Sequence, residues 1–347
     1  MKNTLYLISN EKIFKNNEIF FCDNLDMKST PEGLNKYFDV KIIARKSKVS
    51  RIQKLNLRSV KIFSNIFSYM LEVIKSSKNG DSKFLIVSLT PFTFLAGVTL
   101  ILLGKKPYLY LRSNGYDEYK IILGILGKFI YHLMFIIITR FSILISCREY
   151  ILMGKKGYII SPSQLDSSWY QNHVKPKVNE INLIYVGRIK KEKGIFSLLN
   201  LIKKQSKINL TIVGASEEDR IINQSNVNTL KIIQDKKELI NLYDKNNITI
   251  LPSYTEGYPM IILESLSRLR PIIIFKEIEH IVENRKGIFV SNRDYSSFSE
   301  KINHIINNYD SIQESMKLNK LPDNETFISQ LKEILSKKKF DINNSIR

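Results

Sequence analysis

Cysteine is almost missing from this sequence: Cys22 and Cys147 are the two among 347 residues. A pair so far apart makes no disulfide framework, which points to a reducing compartment and a cytoplasmic chain. Glycine and proline are sparse, at 14 and 9, so collagen-like and low-complexity architectures are excluded. Metal chemistry has little to work with. None of His132, His173, His280 and His304 has ligand spacing or a nucleophile beside it, and no Asp-x-Asp pair occurs anywhere. The fingerprint Gly-x-Gly-x-x-Gly follows no apolar run, which argues against a dehydrogenase.

Long uncharged runs are scarce too. After Lys2 the first apolar stretch is too short for a secretory signal and reads as a strand. Residues 84–104 carry no charge over the length of a membrane span. Thr90 and Pro91 divide that run into a buried strand, 84–88, and a buried helix, 93–103, with Thr90 as N-cap and Pro91 at the first helical position.

Acidic residues are outnumbered, 33 against 53 Lys and Arg, for a formal charge of +20. Such a balance suits polyanionic surroundings: nucleic acid, anionic lipid or phosphorylated substrates. It equally reflects lysines scattered through Asn- and Ile-rich stretches. Basic and aromatic residues do not interleave and no nucleic-acid-binding motif is present, so no nucleic acid is expected as a partner.

What the chain has in abundance is alternation. Strand-length apolar runs at 4–8, 40–44, 84–88 and 108–111 alternate with helical segments at 31–37, 52–76, 93–103 and 119–142, the signature of a parallel sheet covered by helices. Residues 161–182 are polar, hold two prolines and lack a period, and read as a connection. A second series follows, with strands at 183–186, 210–213, 230–232, 248–251, 271–275 and 287–290. The expected fold class is α/β with two Rossmann-like domains facing across a cleft. Its parts are an N-terminal acceptor-side domain, 1–165, a linker, 166–182, a nucleotide-sugar-binding domain, 183–323, and a C-terminal helix, 324–347, returning to the first domain.

Two elements sit at strand ends, where open parallel sheets bind ligands. In Tyr185-Val-Gly-Arg-Ile-Lys-Lys-Glu-Lys-Gly a strand runs into Gly187, and Arg188 and Lys193 offer a fork and a point charge suited to a diphosphate. The same stretch reads equally as a solvated basic turn. In Leu251-Pro-Ser-Tyr-Thr-Glu-Gly-Tyr-Pro-Met-Ile-Ile-Leu-Glu264 a strand leads through a loop to a helix starting at Pro259 and running to about Arg268. Its first-turn N–H groups form an anion site. Glu256 and Glu264 flank that start. Either they accept hydrogen bonds from sugar hydroxyls, or one favours the helix dipole and the other lies on a solvated face.

Together these segments, with 210–214, Glu238-Leu-Ile-Asn-Leu-Tyr243 and Arg270-Pro-Ile-Ile-Ile, resemble the retaining nucleotide-sugar glycosyltransferases of family 4, group 1, with the GT-B fold. The resemblance covers about 183–290. It implies Arg188 and Lys193 on the diphosphate, Glu256 at the transferred sugar and Glu264 on the ribose. Gly187 and the segment Gly257, Tyr258, Pro259 and Met260 would line the donor, with Ile233 and Gln234 near the base. The expected function is sugar transfer from a nucleotide-sugar donor to a saccharide or lipid-linked acceptor, in surface polysaccharide or lipopolysaccharide synthesis, with no cofactor and no metal. A nucleotide-sugar 2-epimerase or a silent relative of the same fold is the alternative.

The first half departs from the family's usual pattern, since no glycine-rich loop follows the first strand and no His ends the fourth. Arg112, Asn114 and Asp117 occupy that strand end and are read either as acceptor-side residues or as an ordinary turn. Between 120 and 156 the chain is apolar and basic, with Lys120, Lys128, Arg140, Arg148, Lys155 and Lys156 against Glu149. This is either a core helix with basic ends or a surface for peripheral contact with an anionic membrane on its cytoplasmic face.

Overall fold

A computed structural model describes residues 2–203, 205, 207–215 and 224–337. The chain divides into two units, one formed by Met1–Gln164 with Pro322–Arg347 and one by Leu165–Leu321.

In the first unit, β1 (Thr4–Asn16) folds back through a two-residue turn at Asn17 onto β2 (Ile19–Cys22), and helix α1 (Leu25–Leu34) leads to β3 (Asp39–Lys46). The expected helix over 52–76 is wrong in its first half. Leu55 and Leu57 are buried while Lys54, Asn56 and Arg58 are exposed, a period of two that makes strands. The chain forms β4 (Gln53–Leu55) and β5 (Val60–Phe63), and α2 (Ile66–Ser77) starts only where the Asn65 side chain accepts from Ser68 N.

The run 84–104 divides as its sequence requires. β6 (Lys83–Val87) is followed by α3 (Pro91–Leu102), whose Thr90 and Thr93 form a reciprocal capping box. Next come β7 (Tyr108–Leu111), α4 (Gly115–Thr139), β8 (Ile143–Ser146) and β9 (Tyr158–Ile159). Among the described residues the parallel strands are ordered β5-β3-β1-β6-β7-β8-β9, with β2 and β4 added antiparallel beyond β1.

By length and composition α4 could cross a membrane, and a single helix was expected from its apolar run. It is instead a hairpin. Gly124 sits at φ 65°, ψ −150°, a region that only glycine enters without strain. A Cβ on Gly127 would lie 2.1 Å from the Tyr119 carbonyl oxygen, and one on Gly115 would lie 2.0 Å from the Tyr131 ring. Residues sixteen apart on one straight helix are about 24 Å apart, so the two arms run back along each other. Tyr116 and Tyr131 meet edge to face at 4.9 Å, and the Tyr116 hydroxyl is 2.9 Å from His132 Nδ1.

Among its described residues the second unit is a six-stranded parallel sheet built from β10 (Ile181–Val186), β11 (Ile208–Ala215), β12 (Val227–Lys231), β13 (Ile248–Leu251), β14 (Ile272–Phe275) and β15 (Ile288–Ser291). Its helices are α5 (Ile195–Ile202), α6 (Lys236–Lys245), α7 (Met260–Ser267), α8 (Tyr295–Asn307) and α9 (Tyr309–Met316). The order β12-β11-β10-β13-β14-β15 reverses direction between β10 and β13, which makes their carboxyl ends the switch point where doubly wound sheets bind ligands.

Residues 165–182 are packed into this second unit. Leu165 and Trp169 are buried in its core, and the Arg268 guanidinium donates to the carbonyls of Trp169, Gln171 and Asn172. Polar composition hid this because the anchoring is made by backbone carbonyls, which carry no sequence signature. The chain ends, within the described residues, in α10 (Asn324–Ser336), which belongs to the first unit and packs on α1. Residues 338–347 of the expected C-terminal helix lie outside the described residues.

Candidate functional site

Eight residues beyond the end of β10 the chain reaches Gly194, in the left-handed region at φ 66° and opening α5. A Cβ there would lie 1.9 Å from the Pro252 carbonyl oxygen, so this glycine allows the β10 loop to close on the β13 loop. The Tyr254 amide donates to the Glu192 carbonyl at 3.0 Å, a second bond between the loops.

The contact brings together two residues 63 positions apart. Lys193 Nζ lies 2.7 Å from Glu256 Oε1, with both side chains mostly buried. Ser253 Oγ donates to the same oxygen at 2.6 Å. The β13 loop is held from the far side by Arg293, whose guanidinium donates to the Pro252 carbonyl and pairs with Glu277. It also stacks on Tyr254, 4.1 Å from the ring centroid. Ser253 and Arg293 were missed at the sequence level; Arg293 lies beyond the matched motifs, and only contact geometry exposes it.

Pro259 is the N-cap of α7, so the helix starts one place later than expected, and no side chain caps it. Gly194 likewise provides none for α5. Of the other described helices, α1, α2, α3, α4, α6, α8 and α10 each have a side-chain cap, and α9 has none. The two helices that begin at the switch point thus leave first-turn N–H donors without a side-chain partner, and those donors with the dipole attract an anion.

Glu264, one turn inside α7, is not on a solvated face. Tyr243 on α6 donates its hydroxyl to Glu264 Oε2 at 2.7 Å. Burial pushes the Glu264 carboxyl above its ordinary value of 4.5, and the Tyr243 hydrogen bond pulls it part of the way back. A raised folded-state value stabilises the fold fully at low pH, and that contribution is lost as pH climbs from 4.5 through the raised value. Glu264→Gln is therefore expected to flatten the loss of stability with rising pH in that window, measured as urea midpoints across pH.

The other predicted donor residues are placed as follows. Gly187 follows β10 with its amide on the Val213 carbonyl, and Arg188 is exposed beside it. Tyr258 is half-buried, with the Arg285 guanidinium 5.9 Å from its ring centroid. Gly257 and Met260 frame the start of α7. Ile233 packs against the core of the second unit while Gln234 is exposed.

In the first unit Arg112, after β7, donates to Ser88 Oγ at 3.2 Å and lies 3.6 Å from Asp26. Asn114 caps α4 by accepting from Tyr116 N and donates to Asp117 at 2.6 Å. Both residues therefore have a local role in starting the helix.

Residues 168–321 match the pattern of glycosyl transferases group 1. The second unit is a group 1 glycosyl transferase domain. The capsular polysaccharide biosynthesis glycosyltransferase CapM of Staphylococcus aureus is 26% identical over 180 residues, 47% of this chain and 46% of CapM. The chain spans less than half the length of the curated relatives it matches. Over nearly the whole chain the fold is that of sucrose-phosphate synthase from Thermosynechococcus elongatus, at TM-score 0.68 and 14% identity, covering 96% of this chain and 98% of that one. Anabaena HepE, solved with UDP-glucose, matches with the same score and coverage at 12% identity. The group 1 domain and the two Rossmann-like units are those of the GT-B class.

Proposed function

We propose that this chain is a retaining, metal-independent glycosyltransferase. It moves a sugar from a nucleotide-sugar donor to a saccharide or lipid-linked saccharide acceptor, in assembly of a surface polysaccharide or lipopolysaccharide. The observation that carries the reading is the Lys193–Glu256 pair at 2.7 Å, set between two helix starts that have no side-chain cap. When the bond from sugar to diphosphate breaks, negative charge grows on the leaving nucleoside diphosphate. Lys193, Arg188 and the first-turn amides of α7 are fixed positive groups for that charge, and such preorganised stabilisation is often the largest single contribution to rate.

Glu256 then faces the hydroxyls of the transferred sugar and Glu264 those of the ribose. Side-chain cations, with no Asp-x-Asp pair in the sequence, support transfer without metal; retention is supported by the family resemblance. CapM's role in capsule synthesis supports the polysaccharide setting. Arg112, oriented by Asp26 and Ser88, is the acceptor-side residue. The protein works in the cytoplasm, in peripheral contact with the inner face of the membrane.

A thermal-shift screen of nucleotide sugars, read alongside slow donor hydrolysis, tests the proposal. One donor is expected to raise the melting temperature and to release its nucleoside diphosphate. Absence of both effects for every donor overturns it.

A further inference from the structure

The helical hairpin of α4 takes no part in the proposed transfer. Its apex is Ile121-Ile122-Leu123-Gly124-Ile125-Leu126, and the five side chains there are between 54% and 82% exposed, with Phe129 beside them at 58%. A projecting run of this kind needs a partner, because soluble surfaces rarely leave consecutive apolar residues in water. A membrane span is excluded by geometry, since it needs about 20 uninterrupted helical residues and Gly124 turns the chain back.

Charge selects the partner. Exposed Lys120 and Lys128 flank the apex on its two arms, in a chain of formal charge +20. The first carboxylates on the arm, Glu118 and Asp117, start roughly 5 to 6 Å behind Ile121 along the axis. Interfacial helices bury their apolar residues about 5–10 Å into the boundary between headgroups and acyl chains. At that depth the apex reaches the acyl chains while both lysines lie at the level of the lipid phosphates.

We propose that the α4 apex is a membrane wedge, inserting Ile121 to Leu126 into one leaflet of an anionic bilayer with Lys120 and Lys128 on the phosphates. The inference rests on the peripheral membrane contact proposed above and names the element that makes it.

The test compares the full chain with its Ile122→Asp/Ile125→Asp variant in co-sedimentation with vesicles of equal parts phosphatidylcholine and phosphatidylglycerol. Both positions are exposed, so folding is not at stake. The variant is expected to bind at least about tenfold more weakly, with its donor hydrolysis unchanged. In a second measurement Ile125→Cys carries an environment-sensitive dye. Cys22 and Cys147 are buried, with thiols pushed up to about 12 by burial, and escape labelling. Vesicles are expected to shift the dye's emission to the blue.

Binding that survives the double substitution, with a dye that stays in water, overturns the wedge and leaves peripheral contact standing. Failure of the unsubstituted chain to bind anionic vesicles at low salt overturns both. A concentration-dependent dimer that the double substitution abolishes, without vesicle binding, assigns the apex to a second copy and also overturns the wedge.

Discussion

Replacing Arg268 with alanine is expected to cost the second unit about 3–5 kcal/mol of stability, the usual effect of leaving a buried charge without its partner. Arg268 is fully buried and grips Asp244 with two bonds, Nε to Oδ1 at 3.0 Å and Nη2 to Oδ2 at 2.7 Å. Its other donors hold the carbonyls of Trp169, Gln171 and Asn172. Arg270, also fully buried, lies 3.6 Å from Asp244 and cannot replace the fork. Loss of Arg268 leaves a nearly buried carboxylate and three carbonyls short of donors. Trp169, the one tryptophan in the sequence, sits in this network and packs on Tyr243 at 5.8 Å, so its fluorescence in urea reports the affected unit directly. Arg268→Lys keeps the charge but not the planar fork, and is expected to recover less than half of the loss. An unchanged midpoint for the alanine variant would show the network to be redundant.

Lys193→Ala is expected to lower kcat about 10²–10³-fold, the scale seen when one preorganised donor to a developing anion is removed. Lys193 holds Glu256, so in the proposed site the change removes positive charge from the diphosphate and frees the carboxylate next to it. Glu264→Ala should act differently. Its partner Tyr243 and its place inside α7 suit ground-state binding, so donor KM rises and kcat changes less. Steady-state kinetics with the donor found by screening separates the two, and unchanged kinetics in both variants would sink the assigned site.

The local grammar of the chain was legible where one residue type settles one geometry. Thr90-Pro91 marks a helix start, and the strand Ile248–Leu251 is four buried residues, three of them apolar, bounded by Asn247 and Pro252. Lys193 and Glu256 could each be picked from sequence, but their pairing depends on Gly194 admitting the Pro252 carbonyl, a contact between distant segments. Gly124 misled for the opposite reason. In an apolar run a lone glycine reads as a tolerated helix residue at a cost of ~1 kcal/mol, whereas here its backbone angles turn the chain around. Arg293 acts through loops, so no spacing pointed to it, and Tyr243 lay in a matched segment whose hydrogen bond to Glu264 shows only in the fold.

The return of α10 to the first unit bears on the order of events during synthesis. Phe327, Ile328, Leu331, Ile334 and Leu335 belong to the same buried cluster as Leu5, Val40 and Leu85. A Cβ on Gly33 would lie 2.7 Å from Ile328, so α1 is shaped to receive that helix. The ribosome delivers these residues only after the whole second unit, at about 5–20 residues per second. The N-terminal half must therefore wait, its apolar surface incomplete, through translation of the entire group 1 domain. That domain can finish folding first although it is made second, while the first unit keeps apolar surface exposed until α10 arrives.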